Sequence, residues 1–180
     1  MAHDSRREDY LRMSLRFALS LDGGDPARAA HEFATFGRRL ARDRDSLPQS
    51  DADRAFSLVS LATDLIDYRL PFADDAQAET LVARGRDLLS EALSLDPDCH
   101  DAARMLFSLE TPSAEERSRF LREGAEKVRV ACESARDRLC DALDEARRTL
   151  GASVAMRPWW RWLADLAECA LICGRNRESI

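Results

Sequence analysis

The residues of this 180-residue chain that could do chemistry are five cysteines (Cys99, Cys132, Cys140, Cys169 and Cys173), three histidines and several carboxylate pairs. Their spacing argues against most of it. A zinc site needs convergent Cys or His ligands at short intervals, yet His3, His31 and His100 are scattered and only Cys99 and His100 are close. Cys169 and Cys173 stand one helical turn apart and could share a metal or oxidise, but neutral packing between helices is the preferred reading. No histidine is local to Cys169 or Cys173 as the base that a thiol nucleophile would require. The pairs Asp74-Asp75 and Glu115-Glu116 fall at expected helix starts, where carboxylates favour the positive end of the helix dipole. The run DRDSLPQSDAD lacks the central glycine and terminal acid of a calcium loop, and no glycine-lysine nucleotide loop is present. The sequence therefore predicts no catalytic residue, no cofactor and no metal.

A different chemistry, that of contact, is carried by the WWRW run. Trp159, Trp160 and Trp162 cannot all enter one narrow stripe of a helix, so at least one is expected outside or beneath a partner. Tryptophan and arginine are enriched among interface anchors, and Arg161 stands among the three. Packing of the cluster against a neighbouring helix is an equal alternative.

The elements that must position these residues are helices. Apolar residues recur at steps of three and four, and no β-branched alternation appears. A first helix is expected over 5–21, with Tyr10, Leu11, Leu15, Ala18 and Leu19 inward and Gly23 with Gly24 as its exit. Asp25-Pro26 opens a second, with His31, Phe33, Phe36, Gly37 and Leu40 on its packed side. Ser50 or Asp51 caps a third, carrying Phe56, Val59, Leu61, Ala62, Leu65 and Ile66 and stopped by Pro71. A fourth spans about 75–95 and a fifth about 98–109, separated by Pro97. From 113 to 150 the pattern reads as one long helix, or two joined near Cys140, ended by Gly151; Arg157-Pro158 then opens the last helix. Short loops imply antiparallel neighbours within one domain over 1–180.

Composition bounds the setting. A net charge of -6 gives no general reason to bind nucleic acid or an anionic bilayer. The N-terminus has no apolar stretch with a cleavage site, no run of about 18 apolar residues exists to span a membrane, and an odd set of cysteines suits a reducing compartment. A cytoplasmic location is expected.

The segment GRDLLSEALSLDPDCHDAARML resembles the second helix of a tetratricopeptide repeat followed by the first helix of the next, with Gly85, Leu89, Ala92 and Pro97 on the small, large, small and turn positions. Leu106 falls on the next core position, while Phe107 replaces a residue normally small. WLADLAECALICGRNRESI is similar to a first helix with Leu163, Leu166, Ala167 and Ala170 on its inward positions, its glycine turn at Gly174 and the opening of a partner helix at Glu178, Ser179 and Ile180. Together 84–180 resemble a group of bacterial repeat proteins, with 84–111 and an incomplete repeat over 157–180 flanking the long helix; 1–83 match only as generic helix pairs.

That resemblance implies an all-α fold of antiparallel helix pairs stacked as an α-solenoid, and a non-enzymatic scaffold receiving a partner's peptide or helix in a concave groove. Its groove-facing positions would be Arg161, Ala164, Glu168, Leu171 and Ile172, with Asp101, Arg104 and Ser108 from the helix before and Trp159 and Trp160 alongside. The family's lysine and asparagine clamp for a terminal carboxylate is not implied, since Lys127 and Asn176 are the sole residues of those types and neither is in place. An incomplete last repeat also suggests a fragment of a longer protein, or a homodimer through the last helix or the long alanine seam.

Overall fold

The computed structural model describes residues 4–21 and 25–174. The expected exit at Gly23 and Gly24 and the partner-helix opening at Glu178, Ser179 and Ile180 lie outside the described residues. Seven α-helices are described and no strand: α1 (Ser5–Leu19), α2 (Pro26–Arg42), α3 (Asp51–Thr63), α4 (Asp75–Leu95), α5 (His100–Leu109), α6 (Ala114–Ala142) and α7 (Glu145–Ile172). The fold is all-α, built from antiparallel helix pairs packed on one another.

Local chemistry sets the helix starts. Ser50 and Asp53 form a reciprocal capping box at α3, and Ser113 and Glu116 form another at α6. Asp25, Asp74 and Asp144 each accept a backbone N–H at the first turn of α2, α4 and α7. Glu115 and Glu116 lie in the first turn of α6, as their charge suggests. After α3 the chain widens into a π-turn over Asp64–Arg69 and tightens into a 3-10 turn at Leu70–Phe72, where Pro71 ends the helical run.

Two expected boundaries are corrected. Gly151 does not end the long segment, and Arg157-Pro158 does not open the last helix; both lie inside α7. The break falls earlier, at Leu143, which is extended and buried, and Asp144 then caps α7. Gly151 is small for a packing reason, since a Cβ there would lie 2.5 Å from Leu143 Cδ1. Pro158 costs the helix one hydrogen bond, but Val154 and Ala155 before it and Trp162 after it are buried, so packing on both sides holds the helix through the proline.

The main core joins α3, α4 and α5 through Phe56, Val59, Leu89, Ala92, Ala102 and Met105. Gly85 and Ala92 are buried there, as close helix approach demands; Leu61, expected inward, is exposed. A second core fills the α6/α7 hairpin with Leu121, Val128, Cys132, Trp162 and Cys169. Phe17 and Phe36 stack at 4.3 Å where α2 meets α1.

Helix α1 is wedged rather than laid on one face. It meets α2, α3 and α7, so Met13, Leu15, Ser5 and Glu8 are buried while Tyr10 and Leu19, expected inward, are exposed. Leu15 packs with Val154, and Glu8 reaches Arg157 and Arg161, so α1 runs antiparallel along α7. The first helix thus closes against the last, a contact that a simple linear stack of repeats lacks.

Candidate functional site

Where α1, α5, α6 and α7 converge, buried charges form a continuous chain. Glu8 is fully buried, and its carboxylate accepts from Arg12 Nη2 at 2.8 Å and Nε at 3.0 Å, and from Arg161 Nη1 at 2.8 Å. Arg157 adds a longer contact at 3.4 Å. Arg161 turns its other edge to Asp101, donating from Nε at 2.7 Å and from Nη2 at 2.5 Å. That bidentate fork suits a guanidinium facing a carboxylate. Arg104 then pairs with Asp165 at 2.8 Å, Arg117 with the same carboxylate at 2.9 Å, and Arg117 with Glu168 at 3.1 Å.

Electrostatics follow from this geometry. Burial alone would raise the Asp101 carboxyl, but Arg161, with Arg104 and Arg12 behind it, outweighs burial and holds it well below the usual carboxylate range. Glu8 behaves alike: burial raises it, and Arg161 and Arg12 bring it below its ordinary value. Arg161, desolvated but flanked by Asp101 and Glu8, is held still more firmly protonated than usual.

The predicted contact residues divide into two groups. Asp101, Arg104 and Arg161 sit inside the charge chain, with Asp101 only 4% exposed, and Ser108 donates to the Arg104 carbonyl of its own helix at 3.0 Å. Glu8 of α1 closes over Arg161 in this group, pairing with it at 2.8 Å. Trp160, Ala164, Glu168, Leu171 and Ile172 instead face solvent along α7. The three tryptophans take three environments. Trp162 is buried and donates from Nε1 to the Leu121 carbonyl at 2.7 Å, Trp159 packs partly against the α6/α7 core, and Trp160 is 49% exposed.

Trp160, Ala164, Ala167 and Leu171 fall at steps of four and three, so they form one line on α7, with Leu163 beside it. Trp160 is 49% and Leu171 59% exposed, which makes the line a solvent-facing apolar surface rather than scattered side chains. Leu163 and Ala167 were both expected inward; Leu163 is instead 42% exposed and Ala167 half-buried, because the outer side of α7 has no helix packed over it among the described residues.

The sequence reading missed Glu8, Arg12, Arg157, Asp165 and Arg117. A signal existed: Glu8 stands three and seven residues before Leu11 and Leu15, so an acid occupies the register of an apolar face. Arg157, Arg161 and Asp165 also repeat every four residues along α7.

The five cysteines are free, and Cys99, Cys132 and Cys169 are held in the unreactive thiol form. Burial pushes the Cys99 thiol up to about 11 and also raises Cys132 and Cys169. Among the described residues no group of three His, Cys, Asp or Glu side chains is placed to hold a metal ion, and no helix is long and apolar enough to cross a membrane. No protein-family model, curated protein or solved structure matches the chain.

Proposed function

We propose that this chain is a non-enzymatic interaction scaffold of the tetratricopeptide kind found in bacterial proteins, acting in the cytoplasm and receiving a helix or peptide of a protein partner. The observation that carries this reading is the solvent-facing apolar line of α7, with Trp160, Leu163 and Leu171 all more than two-fifths exposed. Exposed apolar side chains aligned on one helix are a signature of contact surfaces, and tryptophan is a preferred anchor in them. The receiving surface is this outer face of α7, bordered by Glu168 and Ile172, rather than the buried positions Asp101, Arg104 and Arg161.

Raised thiols argue against cysteine catalysis, because an activated thiol is shifted the other way. Free cysteines and a net charge of -6 support a reducing compartment and a protein partner rather than nucleic acid or lipid.

A photo-activatable side chain placed at Ala164 or Leu171 tests the reading in cells. Covalent protein adducts are expected from both positions and not from Glu79, an exposed site on α4. Equal adduct patterns from all three positions would overturn it.

A further inference from the structure

The apolar line of α7 has an internal symmetry that points to what covers it. Trp160, Ala164, Ala167 and Leu171 run large, small, small, large. About a point midway between Asp165 and Leu166, Trp160 exchanges with Leu171 and Ala164 with Ala167. A two-fold axis at that point would set α7 antiparallel to an identical helix, with Trp160 opposite Leu171 and the two alanines opposite each other. Small residues at a crossing let helix axes come within about 8 Å, and larger side chains to either side then close the seam. This is the isologous arrangement in which one patch serves both partners.

Charge on the face favours the same occupant. The line itself is uncharged, and its bordering carboxylate, Glu168, is already paired with Arg117 at 3.1 Å. A partner chosen for opposite charge has little to read beyond this already paired carboxylate, whereas an identical neutral line is matched.

We infer that the outer face of α7 binds a second copy of this chain, forming an antiparallel two-fold dimer through Trp160, Ala164, Ala167 and Leu171. This rests on the reading of α7 as the contact surface and names its partner. One helix face from each chain is a small contact beside the roughly 1,600 Å² of a typical stable interface, so association is weak and depends on concentration. Each chain carries a net charge of -6, so salt that screens their repulsion tightens the dimer.

Sedimentation velocity of the full chain over about 5–500 µM, at low and high salt, is the test. The expected result is a concentration-dependent rise from the 20.3 kDa of one chain to twice that mass, stronger at high salt. Leu171→Glu should weaken association at least tenfold, and Ala164→Arg should do the same, with helical circular dichroism unchanged because both positions are exposed. Tryptophan emission should shift to the blue as dimer forms, and Trp160→Phe should remove that shift while Trp159 and Trp162 remain. A wild-type chain that stays at 20.3 kDa throughout would overturn the inference, as would a dimer indifferent to both charged variants. Photo-adducts at Ala164 joined to a different protein alone would leave the scaffold reading standing and end this one.

Discussion

Arg161 donates to two carboxylates that are both out of water, Glu8 on α1 and Asp101 on α5. Such a guanidinium is a joint between elements, and its surroundings make stability depend on pH in a stated direction. Both carboxyls are held below their unfolded values, so their contribution is complete above about pH 4.3, the ordinary value for a free glutamate, and is lost as pH falls toward their folded values. The midpoint of thermal unfolding should therefore drop steeply on acidification below about pH 4.5. Asp101→Asn should flatten that dependence while lowering stability at neutral pH. A variant as steep in acid as the parent would show that Asp101 is not held low. Burial, with Lys127 behind it, lowers the His100 imidazole, so protonation below its ordinary value also favours the unfolded chain.

At the scale of elements, the α6/α7 hairpin depends on a glycine that leaves room for a ring. A Cβ at Gly124 would stand 2.6 Å from Cζ2 of Trp162, and that indole is pinned by its bond to the Leu121 carbonyl. Gly124→Ala gains helix propensity of about 1 kcal/mol but must displace the ring, a net loss of about 1–2 kcal/mol in urea unfolding. A variant as stable as the parent would mean that the indole moves freely. Much of this element was legible beforehand. The steps of four and three from Leu121 to Ala142 run along α6, although they continue across the break to Ala146 in α7, and Asp74, Ser50 and Asp25 mark starts that the structure keeps. The hairpin break was legible only as the alternative of two helices joined near Cys140, because Leu143-Asp144 carries no glycine or proline, whereas Gly151 and Pro158 carry the usual punctuation and are overruled by tertiary packing. The contact residues were legible only by half. Helical spacing places Ala164, Glu168, Leu171 and Ile172 on one side of α7 whatever its neighbours, but whether Arg161 and Asp101 meet solvent depends on where α1 docks, and no local pattern encodes that.

For the whole molecule, the decisive feature is that α1 returns to lie along α7. Its lock is a buried charge chain rather than an apolar seam alone, and Ser5 and Ser60 add a hydroxyl pair at 3.1 Å where α1 crosses α3. Breaking such a pair from one side leaves a buried carboxylate without its partner, which costs about 3–5 kcal/mol. Surface side chains outside such networks cost far less. The division between an inner joint and an outer contact line is therefore measurable in one experiment, equilibrium urea unfolding of Arg161→Ala beside Trp160→Ala. The structure predicts a loss of about 3 kcal/mol or more for Arg161→Ala and less than about 1 kcal/mol for Trp160→Ala. A stable Arg161→Ala protein beside a strongly destabilised Trp160→Ala protein would contradict it, placing the joint where the contact surface has been drawn.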